Sequence, residues 1–301
     1  MARTTAYIQG IMRAVRTAII SAVALVGAAC NTDTPVGTEA ASDPSTPGRY
    51  GLVVLNHEFG EPGVAVSAQL MAWHGTTRAE VLQALALPDQ GWLTSEHPAD
   101  GRCVVVVDGA DPATTEAEPP RVDLLSVGTL SVFPPEPLHT ALDLAPRDFP
   151  LVLFSLSGVV YDADAPQRLP YLAGGRYRVE APGDELGAVS GSVEAPEAVW
   201  IVDAGLHDGG LRVRWGGGGV ATVLLSRDVG SNTVGIVCGD ADGELVVPAA
   251  DLARLGDGDA QLTVARVQLG PLEVEGIDEA EVAFVTRDTT ELSLAGLSAN
   301  P

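Results

Sequence analysis

Strand signals dominate the chain from Tyr50 to Thr286, and two segments alternate apolar and polar residues with period two. Leu211-Arg-Val-Arg-Trp215 alternates without error. Ala188–Ala195 sets Val189, Gly191, Val193 and Ala195 on one side and Ser190, Ser192 and Glu194 on the other. This period sends successive side chains to opposite faces, one toward a core and one toward water, as in antiparallel sheets. It predicts further strands over 50–55, 64–72, 103–107, 124–133, 151–160, 176–180, 199–202, 221–226, 233–238, 261–269 and 281–286. Turn formers separate them: Asp108-Gly109, Ala181–Asp184, Asp208–Gly210, Asp242-Gly243 and Gly256–Gly258. Many short strands joined in this way imply a mostly β protein of antiparallel, Ig-like β-sandwich architecture in two packed units.

The helical period surfaces twice. Thr77-Arg-Ala-Glu80 is a capping box, followed by Val81, Leu82 and Leu85 at helical spacing and ended by Pro88. Pro248–Leu255 has proline in its first turn and Gly256 as terminator. Both helices are expected to cover sheets. The boundary between units is placed near Pro196, giving a β-rich domain over 49–196 and a small Ig-like sandwich over 197–290, close to the ≈100 residues of such domains. A tail covers 291–301, and no internal repeat is evident.

The first 29 residues break the pattern. Arg3, Arg13 and Arg16 precede the apolar stretch Thr17–Ala29, and Gly27-Ala28-Ala29 leads directly into Cys30. A basic start, a short apolar run and small residues before a cut make an export signal. The run is shorter than the about 20 residues a spanning helix needs. With the cysteine at the cut, the segment resembles a bacterial lipoprotein signal, although Leu25 stands two places earlier than in the usual pattern. Gly27-Ala28-Ala29 also suits an ordinary signal peptidase. The resemblance implies a diacylglycerol on the Cys30 thiol, an acylated amine and anchoring in the cell envelope. Three acyl chains, at ~0.8 kcal/mol per buried CH₂, hold a protein firmly. Asn31, where sorted lipoproteins carry Asp for retention, implies the outer membrane. Residues 30–48, rich in Thr, Ser, Pro and Asp, have almost nothing to bury and read as a disordered tether.

Formal charge is −23, from 40 acids and 17 basic residues, all arginine. Loss of Arg3, Arg13 and Arg16 with the leader would leave 14 arginines against the 40 acids, or −26. Such a body repels phosphate backbones, so nucleic acid is excluded as a partner. Cations, an envelope protein or a glycan remain as partner classes. The absence of lysine fits GC-rich coding bias. Beyond Cys30, Cys103 and Cys238 lie in strand-like runs. A bridge between them would close a loop of over a hundred residues, stabilising by about 4–5 kcal/mol in the chain-entropy view. The favoured alternative is two thiols buried separately in the two units.

Motifs of chemistry are scarce. There is no Gly-x-Ser-x-Gly elbow, no His-Glu-x-x-His and no phosphate loop with its lysine. His57, His74, His97, His139 and His207 are dispersed. His57 and His74 are the pair that a hydrolase site in the first unit would use, and surface or packing roles are the simpler reading. Asp240-Ala-Asp242-Gly-Glu244 has the alternating acids and glycine that open a calcium loop, but Asp251 stands where a bidentate glutamate is required. Hairpin turns use the same residues, and that reading is preferred. No other cofactor is implied. Trp200 and Trp215 are assigned to the core. Trp92, in Asp89–Thr94, is the candidate for a sugar-stacking platform or a plug over one sandwich end.

Leu172–Asp184 with Ala188–Pro196, and Leu211–Trp215 with Cys238–Pro248, resemble exported bacterial lipoproteins of unassigned function with Ig-like β-sandwich domains. The likeness implies fold and location and no activity. The sequence is therefore read as an envelope lipoprotein whose body is a non-enzymatic binding or structural module. A calcium- or glycan-binding adhesion module and a hydrolase are the alternatives.

Overall fold

The structure, a computed structural model, describes residues 48–74, 101–108, 121–138, 140–148, 156–162, 167–207, 210–229 and 232–294. Cys30, the expected tether up to residue 47, the 77–88 helix, Trp92, His97 and His139 lie outside them, and Gly48, expected in the tether, begins the first strand. The described residues are mostly β, with one helix. The strands are β1 (Gly48–Glu58), β2 (Ala65–His74), β3 (Cys103–Asp108), β4 (Arg121–Leu124), β5 (Leu130–Phe133), β6 (Leu142–Leu144), β7 (Arg147–Asp148), β8 (Leu156–Asp162), β9 (Arg176–Ala181), β10 (Val189–Glu194), β11 (Trp200–His207), β12 (Gly210–Gly216), β13 (Val220–Val229), β14 (Asn232–Asp242), β15 (Glu244–Pro248), β16 (Asp259–Val274) and β17 (Glu279–Ser293). The helix, α1, is Ala249–Leu255.

Fourteen strands form one large curled sheet, and β11, β12 and β15 form a small second one. Most pairings are antiparallel, as alternation predicts, but β1 runs parallel to β17 and β4 parallel to β8. Parallel neighbours need a long crossover, and the whole chain between β1 and β17 supplies one. The strand expected over 124–133 is two, β4 and β5, with a turn through Gly128 between them.

The frame is the β16–β17 hairpin, in register from Asp259↔Ser293 to Pro271↔Glu281. One end of β16 also pairs β13 through Gln261–Ala265, and the other pairs β10 through Leu272–Val274. The sheet therefore forks along this ribbon, and a core forms at each end. The first core gathers Val53, Leu55, Leu70, Tyr161, Tyr177, Val179, Leu272 and Phe284. The second gathers Leu211, Val213, Trp215 and Val247 of the small sheet with Leu225, Ile236, Leu262 and Val264 of the large one. Arg176–Ala181 shows how sequence makes this: Tyr177, Val179 and Ala181 are buried while Arg176, Arg178 and Glu180 face water. In α1, Leu252 and Leu255 enter the second core, and Asp251 and Arg254 sit at the helix ends that favour their charges.

Cys103 and Cys238 are direct register partners on β3 and β14 and form a disulfide. This replaces the expected pair of separate thiols. β3, although early in the chain, pairs into the half of the sheet that holds the second core, and period-two patterning cannot reveal a partner 135 residues away. Among the described strands β3 pairs only with β14, so the bond pins the last described strand on that side. Reduction, or Cys103→Ser with Cys238→Ser, should cost about 5 kcal/mol by loop-closure entropy. Urea unfolding with and without reductant measures it, and thiol counting in denaturant checks the bond itself.

Candidate functional site

The two cores meet at the connection Pro196-Glu197-Ala198, which is tied down from three sides. The Tyr171 hydroxyl donates to the Pro196 carbonyl at 2.6 Å. Thr286, fully buried on β17, donates to the Glu197 carbonyl at 3.1 Å. Arg266 on β16 donates to the same carbonyl at 3.0 Å. Its guanidinium also reaches the carbonyls of Gly217, Gly218, Gly219 and Val220. Gly217, Gly218 and Gly219 all have positive φ, a conformation glycine adopts without steric cost, and the loop they form turns its carbonyls onto one cation. Charge-assisted bonds of this kind are the stronger class. Burial lowers the Arg266 pKa, and Glu197, Tyr171 and Asp242 oppose the shift.

An aromatic step stands on this joint. Tyr171 stacks flat on His57, centroids 3.9 Å apart and planes 4° from parallel. His57 Nδ1 bonds the Gly63 carbonyl at 3.0 Å, which makes Nδ1 the donor. Next to His57, Phe59 is 46% exposed and stacks against Trp200, itself 37% exposed, with centroids 5.6 Å apart. Phe59 is fixed by its N–H to the Arg287 carbonyl at 2.8 Å, and Arg287 pairs with Glu58 at 2.5 Å. The Trp200 ring lies over Gly216, its register partner on β12. A Cβ at that glycine would fall 2.4 Å from the ring. Asp288 accepts the Ile201 N–H at 2.7 Å and fixes the base of the step.

Trp200 was expected in the core and is at the surface. A bulge between Ile201 and Asp203 resets the alternation. Ile201 then faces inward opposite Trp215, which is buried as expected, and Trp200 faces out. Four-residue periodicity over 199–202 carries no sign of a bulge, so the sequence could not place this ring. The glycine run 216–219 was the one available signal that a large side chain lies close by.

The histidine pair does not form. Gly48 pairs Trp73, so His57 and His74 sit at opposite ends of the β1–β2 hairpin, about 30 Å apart at ~3.3 Å per residue. A hydrolase site containing both is ruled out by that separation. The calcium candidates are spread over two strands: Asp242 ends β14, Glu244 begins β15 opposite Arg214, and the Asp240 side chain lies outside the described residues. Among the described residues no group of three or more His, Cys, Asp or Glu is placed to hold a metal ion. A shallow depression elsewhere, lined by Ser131, Phe133, Glu180, Pro182 and Ser190, has no histidine or cysteine. Its Glu180 is paired with Arg178. No helix among the described residues is long and apolar enough to cross a membrane.

No known family matches this chain. Neither curated proteins nor solved structures give a match. Among the described residues the joint offers rigid, stacked rings and an arginine held by backbone carbonyls.

Gly216→Ala should drive Trp200 off its seat, shift tryptophan emission to the red and cost about 1–3 kcal/mol. Emission spectra and urea melts report both. Burial, with Tyr177 adding to it, raises the Tyr171 phenol to about 12. A phenol raised in the folded state favours folding fully below its unfolded value near 10, and the contribution is lost as pH climbs through the folded value. Stability should therefore fall between about pH 10 and 12, less steeply in Tyr171→Phe, with Tyr177, also raised by burial, keeping part of the slope.

Proposed function

We propose that this is an exported envelope lipoprotein, held by lipid on Cys30, whose β body is a non-enzymatic binding module. The observation that carries the binding reading is the exposed Phe59–Trp200 pair. Two large rings are held at the surface by fixed backbone hydrogen bonds at their bases and a close glycine contact. Exposed apolar groups built into rigid supports mark recognition surfaces. Export is supported by the Cys103–Cys238 disulfide, since such bonds persist in oxidising compartments. The Ig-like reading of 197–290 is supported by the second core, where the small sheet packs face to face with β13, β14 and β16.

A glycan-binding version has its own support in the same rings, because exposed aromatics stack on the apolar faces of sugars. Trp200, rather than Trp92, would then be the platform.

The anchor is tested by the intact mass of the mature protein taken from its native membrane. The expected value is Cys30–Pro301 plus three acyl chains, with Cys30→Ser released to the soluble fraction. A mass lacking lipid removes the anchor and leaves the body as a secreted module.

A further inference from the structure

Exposed apolar side chains concentrate on one strand. Trp200, Val202 and Leu206 of β11 are 37%, 58% and 38% exposed, and Phe59 leans on the first of them. Val246, half exposed, lies two strands away on the same small sheet. Elsewhere among the described residues such side chains are scattered singly. We propose that the open edge of β11 is a docking strand, and that an extended basic segment of a partner protein adds to it as a fourth strand of the β11–β12–β15 sheet. This rests on the binding-module reading and names the chemistry of its partner.

The backbone supplies the first argument. From Asp203 to His207, β11 stays in unbroken register with Arg214–Gly210 on one side. No described strand pairs its other side. Alternate residues of such a strand aim N–H and C=O groups outward. Five residues offer about 17 Å of edge, enough for a short extended segment. Of the devices that normally blunt an edge, β11 lacks proline and carries one charged residue, Asp203. Its one bulge sits toward the other end, where Asp288 already takes the Ile201 N–H.

Side chains supply the second. Leu206 belongs to the inward face, opposite the fully buried Leu211, yet remains 38% exposed. A neighbouring strand is what would cover it. Val202, extruded by the bulge, offers a second contact, and the Phe59–Trp200 step closes that end.

Charge selects the occupant. Of the nearby arginines, Arg214 pairs with Asp203, Arg287 with Glu58 and Arg266 with its loop carbonyls, while Arg212, opposite Gly205 on β12, has a buried Nε without a hydrogen-bond partner. Asp288 accepts the Ile201 N–H and forms no ion pair with these arginines. The molecule as a whole carries −23. A second copy or an acidic segment meets repulsion, whereas a basic one is attracted and oriented.

The test uses the full lipid-bearing protein in detergent and an end-blocked, fluorescein-labelled peptide of alternating valine and lysine. Anisotropy should show saturable binding that weakens at least about tenfold between low and high salt. The V202K/L206K double variant should lose binding by at least about tenfold, while V104K, altering an exposed valine on β3, binds as wild type. Amide exchange should slow at 204–207 on peptide addition. Equal affinity in a V202K/L206K variant that melts normally overturns the proposal. So does equal binding of a valine–glutamate peptide, or a dimer in sedimentation that the double variant dissolves, which would make a second copy the occupant. Peptide failure together with an oligosaccharide bound through Trp200 overturns this partner and keeps the module. Failure of both probes removes the module reading as well.

Discussion

The β16–β17 hairpin is the constraint on which the other elements depend. Its ladder runs from Asp259↔Ser293 to Pro271↔Glu281 and passes both cores. The same two strands therefore contribute side chains to both cores: Leu262 and Val264 to one, Leu272 and Phe284 to the other. A strand buried on one face needs its register fixed, because a slip of one residue would turn every apolar side chain to water. Once this ribbon is in register, β1 is placed along β17, β13 and β10 are placed along different stretches of β16, and the remaining strands follow by pairing.

The ribbon also sets the joint. Arg266 and Thr286 are register partners on β16 and β17. Both bond the Glu197 carbonyl, so the crossing from the first core to the second is held by the frame itself. Two further ties come from Tyr171 and from the glycine loop wrapped on Arg266. This rigidity has a functional consequence. Phe59 sits in the turn directly after β1 and Trp200 begins β11, elements of different sheets. Their stacking persists only if the two sheets keep their relative position.

The chemistry of the surface follows from the same economy of arginine. Acids exceed basic residues by more than two to one, and several of the described arginines serve internal bonds rather than the outer field. The result is a negative body with one apolar edge, held together at its other margin by a disulfide.

Fold class was legible in the residues. Alternation over Arg176–Ala181, Val189–Glu194 and Leu211–Trp215 placed those strands and their buried faces, and Pro248 with Gly256 bracketed the helix, because pleat and cap are local physics. Strand ends were less legible where a long ladder extended them, as in β16 and β17. Partner choice was not legible at all. Nothing near Cys103 says that Cys238 lies opposite, nothing in Tyr50–Leu55 says that β1 runs parallel to a strand over 220 residues later, and nothing in His57 or His74 tells that one hairpin holds them apart. Trp200 shows the limit most sharply: a single bulge reversed its face. Local residue order is enough to show which positions alternate, where turns and the helix fall, and how acidic the chain is. The pairings, the covalent link and the aromatic step arise from long-range register, which no local pattern encodes.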